Sequence, residues 1–188
     1  MLLHTPEVTQ GVQAPDFALP DFTGKTYGLK DIAQGRPFVV AFICNHCPYV
    51  QAIVEDLVKD AAALQEMGIG FVAINSNDYT HVPADSPPRM KAFAEHHGFT
   101  FPYLVDETQS VGREYGAVCT PDFFGFNGVG ELQYRGRLND FRMGGLTTQT
   151  ERSQELVQAM RTILSTGKGP ETQHASMGCS IKWKAQVA

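Results

Sequence analysis

Phe38-Val39-Val40-Ala41-Phe42-Ile43-Cys44-Asn45-His46-Cys47-Pro48-Tyr49-Val50 is the stretch on which the fold turns. Its first six residues are an unbroken apolar run opened by Gly35-Arg36-Pro37, the pattern of a strand buried on both faces. Two cysteines follow it directly. Beyond Pro48, the residues Val50, Ile53, Val54, Leu57, Val58 and Leu64 fall on one helical face, and the pattern ends at Gly68. A single helix of about five turns is expected. Gly70-Phe71-Val72-Ala73-Ile74-Asn75 repeats the buried-strand pattern. Strand, helix, strand implies a right-handed crossover and a parallel pair, which sets the cysteines at the carboxyl end of a central strand.

Upstream, Gly11 to Pro20 alternates loosely before the turn-rich Asp21-Phe22-Thr23-Gly24-Lys25, as an N-terminal hairpin would. Downstream, Asn75 to Pro88 reads as a loop, Arg89 to His97 as a short helix closed by Gly98, and Pro102 to Asp106 as a strand. A short helix near Gln109 to Tyr115 precedes a hairpin of Phe123–Phe126 and Glu131–Arg135 around Asn127-Gly128-Val129-Gly130. Thr148 and Glu151 form a capping-box pattern for a helix running through Leu164. The sum is an α/β chain with a mixed sheet and helices on both faces. Its 188 residues, 43% apolar, suit one domain spanning 1–188, with a core over about 10–166 and a C-terminal tail over 167–188. Where the tail segment Ser176-Met177-Gly178-Cys179-Ser180-Ile181-Lys182-Trp183-Lys184 packs is left open by the sequence.

Fifteen basic against twenty acidic residues give a net charge of −5, with no basic block to follow a phosphate backbone, which argues against nucleic acid as a partner. No secretory pattern opens the chain, and no run approaches the ~20 apolar residues of a membrane span, so a cytoplasmic protein is expected. Four cysteines are too sparse for a disulfide-stapled scaffold, but Cys44 and Cys47 have the spacing of a redox or metal pair.

At the start of a helix, unpaired N–H groups and the dipole favour a thiolate, here expected on Cys44. Cys44 would attack a substrate disulfide and Cys47 would resolve the mixed disulfide, with Asn45 and a protonated His46 tuning the thiol acidity. Zinc normally needs a second ligand pair, and no second Cys-x-x-Cys or His-x-x-x-His is present. No metal and no cofactor beyond the Cys44–Cys47 disulfide are therefore expected. The partners would be a protein or small-molecule disulfide or thiol, and a separate reductase or oxidant. A copper- or zinc-binding metallochaperone module is an alternative, since soft thiolates suit both ions.

Ala14-Pro15-Asp16-Phe17, Gly24-Lys25 and the stretch Phe42 to Val50 resemble thioredoxin-like redoxins of the AhpC/TSA superfamily over about residues 10–165. A bacterial group with Cys-Asn-His-Cys-Pro-Tyr and a Gly-Cys-Ser-Ile-Lys-Trp-Lys tail is closer still. The resemblance implies a thioredoxin fold with an N-terminal hairpin extension and thiol:disulfide oxidoreductase activity. It also implies that Pro121 is cis and, with Pro48, shapes substrate docking by presenting the Thr120 backbone to an extended segment. On the residues alone, Thr120-Pro121 is one of eleven X-Pro bonds, for which trans is the default. His46 before Cys47 resembles disulfide oxidants and isomerases, at about −120 to −180 mV against about −270 mV for thioredoxin. Peroxiredoxins carry a threonine where Cys44 stands and an arginine near the thiolate, for which Arg135, Arg137 and Arg142 are candidates. A thiol peroxidase with antioxidant activity is the second alternative. Cys119 and Cys179 are possible accessory thiols. Glu55 and Asp78 are expected to be solvated, and His96-His97 to complement a helix dipole.

Overall fold

The apolar run forms strand β4 (Phe38–Phe42), every residue of it buried. In this computed structural model, which describes residues 1–143 and 152–185, β4 is the middle of a five-stranded sheet. Its parallel neighbour is β5 (Gly70–Asn75), beyond which lies β6 (Tyr103–Val105). On the other side β8 (Asp122–Phe126) runs antiparallel to β4 and to β9 (Leu132–Gly136). Alternate side chains of a strand face opposite ways, so a strand covered on both sides must be apolar throughout. Val39, Ala41 and Ile43 enter one core with Leu57, Leu64, Met160 and Ile163, while Phe38, Val40 and Phe42 enter another with Ile32, Val111, Phe124 and Phe126. The mixed sheet with helices on both faces is the thioredoxin fold.

The hairpin is β2 (Ala18–Pro20) with β3 (Thr26–Gly28), followed by α1 (Leu29–Ala33). The expected five-turn helix is two helices, α2 (Pro48–Gln51) and α3 (Val54–Glu66). Neither Gly nor Pro causes the break. Arg152 Nη1 donates to Ala52 O at 3.2 Å, and Ile53, at φ −118° and ψ 0°, turns its N–H to Val50 O. A side chain that captures a helix carbonyl interrupts the ladder there. Helix α4 (Pro87–His97) ends on Gly98 at φ +68°, and α5 (Ser110–Glu114) matches the short helix expected. Helix α6 (Glu155–Thr166) is present, but its proposed cap, Thr148 with Glu151, lies outside the described residues. None of the described helices is long and apolar enough to cross a membrane.

The tail supplies β10 (Met177–Ser180), the middle strand of a second sheet between β1 (Leu2–His4) and β7 (Cys119–Thr120), antiparallel to both. Its continuation crosses the loop after β5. Lys182 N–H donates to Asn77 Oδ1, Asp78 N–H to Lys182 O, and Gln109 Nε2 to Lys182 O. Residues Asn75 to Asp78 are consequently buried. That corrects the expectation of a solvated Asp78, whose carboxylate accepts from the hydroxyl and the backbone N–H of Thr80.

Candidate functional site

Strand β4 delivers Cys44, and α2 begins immediately after Cys47, its N-cap, with Pro48 at the first helical position. Proline there has no N–H to leave unsatisfied and its φ suits a helix start. Cys44 and Cys47 are free thiols, both fully buried. Both sulfurs meet Thr120: Cys44 Sγ lies 3.2 Å from Thr120 Oγ1, and Cys47 Sγ lies 3.2 Å from Thr120 O. The Thr120–Pro121 peptide bond is cis.

The two sulfurs titrate as a pair. The Cys44 thiol is pushed well above its ordinary value by its hydrogen bond to Cys47, then by burial and by the negative charge of Asp85. Cys47 is held well below its ordinary value, because donation from Cys44 outweighs burial and the Cys179 thiol and the backbone N–H groups of Cys179 and Val50 add to it. The Cys47 thiol also donates to the Thr120 carbonyl, a bond that favours its protonated form. Within the pair, acidity is drawn toward Cys47 and away from Cys44. The sequence-based expectation applied the helix-start argument to Cys44, whereas Cys47 is the residue that caps the helix.

Asn45 and His46 are held by Asp85, a residue that the sequence reading missed. The buried Asp85 carboxylate accepts from Asn45 N–H at 2.8 Å, from Asn77 Nδ2 at 2.8 Å and from His46 Nδ1 at 2.6 Å. Burial would raise the Asp85 pKa, but the bonds from His46 and Asn77, the His46 charge and Asn45 N–H together lower it. Its only sequence signal is an acid in the proline-rich Pro83-Ala84-Asp85-Ser86-Pro87-Pro88, 39 residues from His46. The Asn45 side chain is an anchor, with Nδ2 on Ala84 O and Oδ1 accepting from the Tyr103 hydroxyl. Cys44, His46 and Asp85 place ligand-capable atoms within 4.8 Å of one another. A metal there would have to displace the short His46–Asp85 hydrogen bond.

Thr120 is buried, and its strand edge is already taken, for Cys179 of β10 stands opposite it. An extended substrate cannot add to that edge while β10 is paired, which corrects the docking role expected of Thr120. Pro121 instead borders a cavity of about 500 Å³ shared with Tyr49, Ile53, Arg137, Phe141 and Met177. Pro48 is exposed beside it in sequence, but Tyr49 is the residue that lines it. Cys119 is fully buried, with its thiol donating toward Pro121 O at 3.7 Å; burial, aided by the Asp122 charge, pushes its pKa far up. It packs as a buried thiol. Of the candidate arginines, Arg135 is spent on buried Asp122 at 2.8 Å and Arg137 on Glu155, whereas Arg142 is exposed at the cavity.

A mixed sheet carrying a Cys-x-x-Cys pair at a helix start beside a cis-proline defines a thioredoxin-fold redoxin. The chain belongs to the AhpC/TSA family, whose profile matches residues 10–138. It is similar to a solved conserved protein of Geobacillus kaustophilus, with 41% identity and a TM-score of 0.92 over 100% of this chain and 98% of that one. It is 27% identical to the thioredoxin-like protein YneN of Bacillus subtilis, over 74% of this chain and 75% of that protein. It is also 27% identical to the thiol-disulfide oxidoreductase ResA of Geobacillus thermodenitrificans, over 62% of this chain and 63% of ResA. With the chloroplastic peroxiredoxin Q of Populus jackii it shares 29% identity, over 63% of this chain and 51% of that protein. These relatives place it among thiol redox enzymes.

Proposed function

We propose that this chain is a thiol:disulfide oxidoreductase whose working couple is Cys44–Cys47 and which needs no other cofactor. The observation that carries the reading is the pair of sulfurs converging on Thr120, each at 3.2 Å. In the reaction, Cys47 thiolate attacks a substrate disulfide, forming a mixed disulfide and releasing the first substrate thiolate. Cys44 then attacks the Cys47 sulfur, the enzyme disulfide closes, and the Cys44 proton leaves with the second substrate thiol. Two electrons pass to the substrate, and a separate thiol reductant restores the dithiol.

Closure of the Thr120 edge by β10 favours a small disulfide over an extended protein segment. The cavity beside Pro121 has the size usual for small-ligand sites, roughly 300–1,000 Å³. The test is trapping with glutathione disulfide. The Cys44→Ser/Cys179→Ser double variant is expected to retain glutathione on Cys47, and Cys47→Ser to retain none. Capture through Cys44 in Cys47→Ser would reverse the assignment of the attacking sulfur. Failure of the wild type to cycle between dithiol and a Cys44–Cys47 disulfide would end the proposal. Stabilisation of the reduced state by the Cys47 thiolate predicts a potential above thioredoxin's, at about −120 to −180 mV, measured in glutathione buffers.

A thiol peroxidase is the second reading, favoured by the low pKa of Cys47, which stands where the resemblance places a peroxidatic cysteine. Against it, Arg135 and Arg137 are engaged elsewhere. Rapid peroxide consumption that survives Cys44→Ser and is lost in Cys47→Ser would make it the better account.

A further inference from the structure

The strand on the Thr120 edge brings a cysteine with it. In the β7–β10 register Cys179 stands opposite Thr120, and both active-site sulfurs contact Thr120. Cys179 packs against the same core cluster that contains Cys44 and Cys47. Its position is fixed from both sides. Ser176 Oγ donates to Pro121 O at 2.6 Å before it, and Ile181 N–H donates to Val118 O at 3.1 Å after it. Gly178 brings the strand so close that a Cβ there would lie 1.9 Å from Thr120 O. The Cys179 thiol and N–H also draw the Cys47 pKa down.

We propose that Cys179 is a third exchange thiol, an internal occupant of the docking edge that can take the disulfide from Cys44 by attacking the sulfur of Cys47. This rests on the oxidoreductase reading and extends it. In the oxidised protein the Cys179 thiolate attacks Cys47, the Cys179–Cys47 bond forms, the Cys44–Cys47 bond breaks, and Cys44 leaves as a thiolate that takes up the proton Cys179 gave up. The oxidation state of the protein is unchanged, so no outside oxidant or reductant enters the step. The consequence is an oxidised form in which Cys44 is free and the tail is covalently tied to the active site. Burial, then the Cys47 neighbour, holds the Cys179 thiol above its ordinary value, so the exchange should quicken as pH rises.

The experiment is a disulfide map of the full chain. Wild type and Cys44→Ser are equilibrated with glutathione disulfide, quenched in acid, alkylated under denaturing conditions and digested. Wild type is expected to yield both Cys44–Cys47 with alkylated Cys179 and Cys47–Cys179 with alkylated Cys44, the second form appearing faster at higher pH. Cys44→Ser is expected to give Cys47–Cys179 as its main product, with loss of alkylation at Cys179. If Cys44→Ser instead stops at glutathione on Cys47 with Cys179 alkylated, while wild type closes Cys44–Cys47, the third thiol is overturned and the dithiol reading stands. If wild type closes only Cys47–Cys179, there is no Cys44–Cys47 bond to exchange with, and both the exchange and the dithiol reading are overturned. Should the variant fail to fold, wild type decides: Cys179 fully alkylated in the oxidised protein at every pH overturns the proposal.

Discussion

Asp85 is where a single residue does most for the site. Its carboxylate gathers three donors from two segments, and hydrogen bonds to a buried charge are worth about 1.5–3 kcal/mol each. Asp85→Asn keeps the shape but loses the charge, and is expected to cost about 2–3 kcal/mol at neutral pH in denaturant unfolding. The sign with pH follows from its lowered pKa. The stabilisation is complete above the unfolded value near 3.8 and is lost as pH falls through the lower folded value, so wild type and variant converge in acid. The same substitution removes a negative charge that raises the Cys44 pKa. The Cys44 thiol of the variant should therefore alkylate faster than that of wild type at a given pH; an unchanged rate would mean that Asp85 does not reach the sulfur.

At the scale of elements, β8 and β9 hold the floor beneath the cis-proline through one buried ion pair. Asp122 is fully buried, its pKa raised to about 6 by desolvation and partly restored by Arg135, which also donates to Gly116 O and lies 4.5 Å from the Phe124 ring centroid. Removing one member of such a pair leaves the other charge uncompensated, so Arg135→Met is expected to destabilise by about 3–5 kcal/mol at pH 7. The loss should shrink toward pH 5, where Asp122 takes up its proton. Strand β4 and the dithiol could be recognised in the sequence because their signals are local, in six apolar residues and a three-residue spacing. The split between α2 and α3 could not, because the side chain that captures Ala52 O comes from Arg152, 100 residues away. The opposite shift of the two thiols was equally hidden. It depends on donors from Cys179 in the tail and on Asp85 in a loop, and neither has a spacing that ties it to Cys44 or Cys47.

For the whole molecule, the tail decides whether the active site and the fold melt together. Residues 176–184 are tied to β1, β7, the loop after β5 and α5, and Trp183, the single tryptophan of the chain, lies 4.5 Å from the Arg113 guanidinium. Gly112 makes that seat possible, since a Cβ there would come 2.7 Å from Ser76 Oγ and 3.2 Å from the Trp183 ring. A strand in the middle of a sheet cannot leave without unpairing both neighbours, so the tail should open only with global unfolding. Trp183 fluorescence and far-ultraviolet circular dichroism are then expected to give coincident urea midpoints in wild type. Gly112→Ala should unseat the indole and separate the two, the fluorescence change coming first. An early fluorescence transition in wild type would show instead that β10 is a detachable strap, and the Thr120 edge would then be open to an extended substrate in the folded protein.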